Sequence, residues 1–282
     1  MSASAGLAVT GSTGALGGMV ARQLADQGHS QRLLARDPAR APVLDGAITV
    51  PFAYGDAATT MKALEGASTV FMVSASESRD RLDRHRAFVD AAAESGVQHL
   101  VYTSFLGASP DCTFTLGRDH YATEEHIKVT GMTYTFLRNN FYIEFLAHLP
   151  GDDGVIRGPA GDGRVSAVSR GDIARAAVAV LGAPDQHRDT TYDLTGPEAI
   201  SLADVARILS TARGQDIVFH HETIEEAYES RRTWNAPDWQ YDAWVSTYTA
   251  IENGEVDRVS GDIATLTARE PLSLADYLVC RP

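Results

Sequence analysis

The sequence predicts an α/β protein, a doubly wound parallel sheet with helices on both faces and a smaller C-terminal lobe. Three observations predict it. Short apolar runs alternate with amphipathic helical stretches over the first half of the chain, an order that calls for crossover connections and parallel strands. The first apolar run, opening at Leu7, breaks into glycines at Gly11, Gly14 and Gly17 where a helix is due, giving strand, tight turn and helix in succession. From Leu149 the texture changes, because Pro150, Gly151, Gly154, Gly158, Pro159, Gly161 and Gly163 punctuate the chain and mark a second lobe.

The elements follow in order. After the glycines, Leu16, Met19, Val20 and Leu24 recur at helical spacing, and Gly28 stands where a C-terminal cap belongs. A second strand, Gln31 to Ala35, ends at Arg36. Ile48 to Phe52 reads as a third strand and Thr69 to Val73 as a fourth; between them Asp56 N-caps a helix over Ala57 to Leu64 that Gly66 closes. The helix carrying Phe88, Val89, Ala92 and Ala93 ends near Gly96, and His99 to Thr103 forms a fifth strand. A helix from about Asp119 to Thr130 ends at Gly131 and leads into Tyr134 to Leu137. Further on, Arg164 to Val168 reads as a strand, Asp172 to Leu181 as a helix and Thr191 to Leu194 as a strand. The remainder holds a helix over Leu202 to Ala212, a strand over Ile217 to His220 and polar helical segments near Glu222 to Arg231 and Asp238 to Glu252. These elements predict a nucleotide-binding domain over residues 1–148 and a smaller substrate lobe over 149–282, with about 164–195 returning to the main sheet.

Composition narrows the function classes. The chain has 282 residues, of which 44% are hydrophobic and 22% charged, the balance of an ordinary globular protein. A net charge of −13, with no cluster of lysines or arginines, repels nucleic acid and acidic membranes. No apolar stretch approaches the roughly 18 residues of a membrane helix, and no signal-peptide pattern is present, so the expected location is cytoplasmic. Cys112 and Cys280 have no metal-ligand spacing, and no metal is expected. Whether the chain is a monomer or a homodimer is left open.

The glycine spacing is GxxGxxG, and its chemistry is that of a Rossmann-type dinucleotide site. A pyrophosphate lies against bare backbone: Gly11 turns the chain, Gly14 lets the main chain approach the phosphates, and Gly17 lets the helix pack close to the strand. The end of the second strand then reaches the adenosine ribose, where a cation pairs with a 2′-phosphate and a carboxylate with a 2′-hydroxyl. Arg36 therefore points to NADP(H). Asp37 beside it keeps NAD(H) as the alternative, although Asp37-Pro38 reads equally as a pair that starts a turn.

Longer stretches carry a resemblance. They are Ala8 to Gly18 (AVTGSTGALGG), Tyr102 to Ser104, His120 to Glu124, Tyr134 to Asn139 (YTFLRN) with Tyr142, and Gly161 to Arg164 through Arg170. On these the chain resembles the NmrA-like group of atypical short-chain dehydrogenases/reductases, in particular its members that reduce quinones and triphenylmethane dyes. The resemblance implies an NADPH-dependent reductase. It places Gly11, Ser12, Thr13, Gly14, Ala15, Leu16, Arg36, Asp56, Val73, Ser74, Ala75, Asn139, Asn140, Phe141 and Arg170 at the cofactor, and Ser104, His120 and Tyr142 at the reacting centre. Arg138 reads as a structural ion-pair residue.

The standard catalytic pair of the larger superfamily, Tyr-x-x-x-Lys, is absent. In that pair the phenol moves a proton and the ammonium lowers its pKa. Tyr121 looks like such an acid, but the fourth residue on is Glu125, whose charge raises a phenol pKa. Aligned on Glu124, the family's usual glutamate, the helix places Leu116 and His120 at the two positions of the pair. Ser104 reads either as a donor to a substrate carbonyl or as a hydroxyl that satisfies loop backbone. His120 is a proton donor or an ordinary helix histidine. Without the pair, the expected substrates are small-molecule quinones, cationic dyes and other conjugated, electron-poor aromatics, which spread incoming charge. Phe141, Tyr142 and Trp234 read as stacking walls or as plain core. The alternative function is a nonenzymatic NADP(H) sensor, since the NmrA-like group includes such regulators.

Overall fold

The computed structural model describes residues 6–280. In chain order its first elements are β1 (Leu7–Val9), α1 (Ala15–Asp26), β2 (Gln31–Ala35), β3 (Ala47–Pro51), α2 (Ala57–Leu64), β4 (Thr69–Met72) and α3 (Arg81–Glu94). There follow β5 (His99–Phe105), α4 (Thr115–Val129), β6 (Thr133–Asn139), α5 (Ile143–Leu146), β7 (Val155–Gly158), β8 (Arg164–Val165), α6 (Arg170–Gly182) and β9 (Thr190–Leu194). The chain continues through β10 (Ile200–Ser201), α7 (Leu202–Arg213), β11 (Val218–His221), α8 (Ile224–Arg231), α9 (Asp238–Glu252), α10 (Asp262–Thr267) and α11 (Leu274–Cys280).

The chain forms two interleaved compact units. Of the described residues, the first takes those up to 104, 121–138 and 173–192, and the second takes 105–120, 139–172 and those from 193 on. A single cut at 148/149 does not describe this arrangement. The chain passes back and forth because β5 and β6 run on beyond the first unit, while α6 returns to it.

The central sheet has the strand order β3-β2-β1-β4-β5-β6-β9, with β1 parallel to both β2 and β4, β2 parallel to β3, and β4 parallel to β5. Such strands need two covered faces, and Ala8, Val9, Val70, Phe71, Leu100 and Val101 are all completely buried. On β2 the buried polar chains each donate to a helix carbonyl: Gln31 Nε2 to Ala21 O at 2.6 Å and Arg32 Nη1 to Ala63 O at 2.9 Å. The order reverses between β1 and β4. At such a switch point the connections leave in opposite directions and open a crevice beyond the carboxyl ends of the strands.

The second unit has its own core, including Phe105, Ile143, Leu146, Leu202, Leu209 and Ile251. Helix α7 enters it by a reciprocal cap: Ser201 Oγ accepts the Asp204 amide, and the Asp204 carboxylate accepts the Ser201 amide. Strand β7 lies inside the glycine-rich stretch that reads as loop. It exists because it pairs in parallel with β11, Val155 opposite Val218, a partner too distant in sequence to leave a local signal. The expected strand from Arg164 to Val168 contracts to β8, and Val168 instead bridges Tyr142. Among the described residues no helix is long and apolar enough to cross a membrane.

Candidate active site

The glycine turn follows β1 at the switch point. Gly11 has φ +64°, and Gly14 donates to Gly11 O at 2.8 Å to close the turn. A Cβ on Gly17 would lie 2.3 Å from Gly11 O and 2.7 Å from Thr10 O, so α1 approaches β1 backbone to backbone. Gly14 N-caps α1 with no side-chain hydrogen bond, and the first turn carries no acidic residue. The amides of that turn precede the first main-chain bond of the helix, Gly18 N to Gly14 O at 3.0 Å. With Thr13, Gly14 and Ala15 exposed, these donors are open to an anion, and the turn fits the pyrophosphate of a dinucleotide. Leu16 and Ser12 are buried; Ser12 Oγ donates to Leu34 O at 3.4 Å and ties the turn to β2.

Arg36 lies exposed just beyond β2. Asp37 is the starter of the turn Pro38–Arg40, its Oδ1 accepting the Ala39 amide at 3.1 Å. Asp56 caps α2, Oδ1 accepting the Thr59 amide at 3.0 Å. Val73, Ser74 and Ala75 follow β4, and the Val73 Cβ lies 3.1 Å from where a Cβ on Gly11 would be. Beneath them stand Thr10, Tyr54, His85 and Thr103, none singled out from sequence. Burial pushes the Tyr54 phenol up and the His85 imidazole far down from their ordinary values.

Ser104, near the end of β5, donates to Glu124 Oε1 at 2.5 Å. Glu124 is fully buried and is gripped by Arg138, Nε to Oε1 at 2.9 Å and Nη2 to Oε2 at 2.6 Å. The reading of Ser104 as a hydroxyl donor to a substrate carbonyl is corrected on this geometry, because its one proton is committed to a carboxylate. Arg138 is the ion-pair residue its type suggested. Glu125 pairs with Lys128 at 2.7 Å.

The remaining site residues lie in the second unit. His120 is buried beside Phe105, ring centroids 6.1 Å apart. Asn139 is buried and its Oδ1 accepts no hydrogen bond, an unspent acceptor of the kind that marks a ligand contact. Asn140 is corrected to a structural role: Nδ2 donates to Ser166 Oγ at 2.7 Å and Val256 O at 2.8 Å, and Oδ1 accepts the Phe141 amide at 2.7 Å. Phe141 sits among Phe105, Phe114 and Phe145. The Arg170 guanidinium lies 4.4 Å above the Tyr142 ring and 3.8 Å from Glu144, and its amide bonds the same carboxylate. Trp234 is exposed and packs edge-on to Trp244 at 5.5 Å.

A doubly wound sheet with an open glycine turn at its switch point defines a dinucleotide-binding protein, and the relatives below make it an NAD(P)H-dependent oxidoreductase. The chain belongs to the NAD(P)H-binding family, which matches residues 11–184. It is 31% identical over 277 residues to quinone oxidoreductase 2 of Escherichia coli (strain K12), covering 96% of both chains. It is 31% identical over 275 residues to NAD(P)H azoreductase of Xenophilus azovorans, covering 95% of both. The solved structure of the Citrobacter sp. triphenylmethane reductase complexed with NADP(H) matches with a TM-score of 0.87 at 28% identity, over 98% of this chain and all of that one. The resemblance to quinone and dye reductases drawn from the motifs is borne out.

Proposed function

We propose that the chain is an NADPH-dependent reductase of quinones and other conjugated, electron-poor acceptors, dyes included. One observation carries the reading of the acceptor: the proton of Ser104 is given to Glu124, whose carboxyl Arg138 grips, and the resemblance aligns Leu116 and His120 with the usual tyrosine and lysine. A placed acid is typically worth about 100- to 10,000-fold in the reduction of an isolated carbonyl. An acceptor that delocalises the incoming charge needs such an acid less. The bound cofactor supplies the hydride. The residues of the chain bind and orient: the amides of the first turn of α1 receive the pyrophosphate, Arg36 pairs with the 2′-phosphate, and Asn139 Oδ1 accepts from an amide donor. His120 and Tyr142 stand as the groups for acceptor contact.

The test is to mix the purified protein with NADPH and follow loss of reduced-cofactor absorbance with quinones, triphenylmethane dyes, azo dyes and isolated ketones. Turnover of the conjugated acceptors and none of the ketones is expected. Tight NADPH binding with no acceptor-dependent oxidation would sink the reductase reading in favour of a nucleotide sensor.

A further inference from the structure

The segment after β4 is held from beneath by side chains, of which Tyr54, Arg81 and His85 lie outside the motifs. All three of its amides are spent. Val73 N–H donates to Thr10 Oγ1 at 2.8 Å, Ser74 N–H to Thr103 Oγ1 at 2.8 Å, and Ala75 N–H to His85 Nε2 at 2.9 Å. Two of the carbonyls are spent as well: Tyr54 donates to Val73 O at 2.5 Å and Arg81 Nε to Ala75 O at 3.0 Å. Thr10 in turn donates to Tyr54 Oη at 3.1 Å, which closes a ring through both main-chain groups of Val73.

We propose that His85 is a positioning residue for nucleotide binding: from its buried place on α3 it accepts the Ala75 amide and holds Val73–Ala75 as a preformed wall of the cofactor site. The inference rests on the reading that these three residues line the cofactor. His85 is completely buried and acts only through the segment above it. Its tautomer follows from its partners. Nε2 accepts, so the proton sits on Nδ1 and is donated to Thr123 Oγ1 at 3.0 Å. A doubly protonated ring would set N–H against N–H at Ala75; burial and the Arg81 charge keep the ring neutral. The tie reaches the phosphate turn, since the Val73 side chain fills the space that a Gly11 side chain would need. A wall whose amides are spent offers no donors to phosphate. Its contribution is shape, and shape lowers the ordering cost of binding.

The experiment titrates NADPH against the wild type, His85→Gln and His85→Phe by cofactor fluorescence, alongside steady-state kinetics and amide exchange. Glutamine places an acceptor near the former Nε2, and phenylalanine keeps the ring without it. In His85→Phe the Kd and KM for NADPH should rise about tenfold, kcat at saturating NADPH should hold within about twofold, and the Ala75 amide should lose protection. His85→Gln should recover most of the affinity. Should His85→Phe fail to fold, Thr103→Val, which removes the acceptor of the Ser74 amide, carries the same expectation. Wild-type affinity in both His85→Phe and Thr103→Val, or equal weakening of His85→Gln and His85→Phe, overturns the inference. A wild-type protein that does not bind NADPH overturns the cofactor reading itself, and the inference with it.

Discussion

Strands β1 and β4 lie side by side and parallel, yet their carboxyl ends are built in opposite ways. After β1 the backbone is left open: the turn at Gly11 to Gly17 has no side-chain cap and no acidic neighbour at the start of α1. After β4 the backbone is closed, each amide from Val73 to Ala75 being tied to a buried hydroxyl or imidazole. The difference teaches what each does to a ligand. Open amides at a helix start attract charge, and spent amides give a rigid surface that attracts none. A dinucleotide needs both, charge recognition at its phosphates and a shaped wall elsewhere.

The comparison breaks most severely at Gly17. A Gly17→Val side chain would begin 2.3 Å from a main-chain oxygen, so α1 must move off β1; NADPH binding should be lost and unfolding in urea should show a cost of roughly 3 kcal/mol. Arg36→Ala tests the open side more gently. It should raise the Kd for NADPH about tenfold and leave that for NADH unchanged, and equal effects on the two nucleotides would remove Arg36 as the selector. The closed side is probed most finely by pH. The folded pKa of His85 lies below the ~6.5 of an unfolded chain, so its contribution is complete above that value and is lost as pH falls toward the folded value. Urea unfolding of the wild type should lose about 1 kcal/mol between about pH 6.5 and 5.5 through this group. His85→Gln should lack that share of the slope.

Legibility in the sequence followed the range of the interaction. The glycine spacing, the β2 limits Gln31–Ala35, the α2 limits Ala57–Leu64 and the Asp56 cap were all readable, because each depends on neighbours a few residues away. Strand β7 was not, since its pairing with β11 joins distant segments. Asn140 sits in the right motif but spends its amide on Ser166 and Val256. Ser104 sits at the right strand end but gives its proton to Glu124. A residue type at a site position says what it can bond, and only the folded neighbours say what it does bond.

The sequence by itself determined the nucleotide end of this protein. Turns that require positive φ and helices that require close approach are written in local glycine chemistry. Tertiary structure alone decided which side chains stayed unspent. Glu124 takes the proton of Ser104, His85 and two threonines take the amides after β4, and Asn139 Oδ1 is left without a partner. The physical reason is that a buried polar group must find partners wherever the fold brings them, and those partners come from strands and helices far apart in the chain.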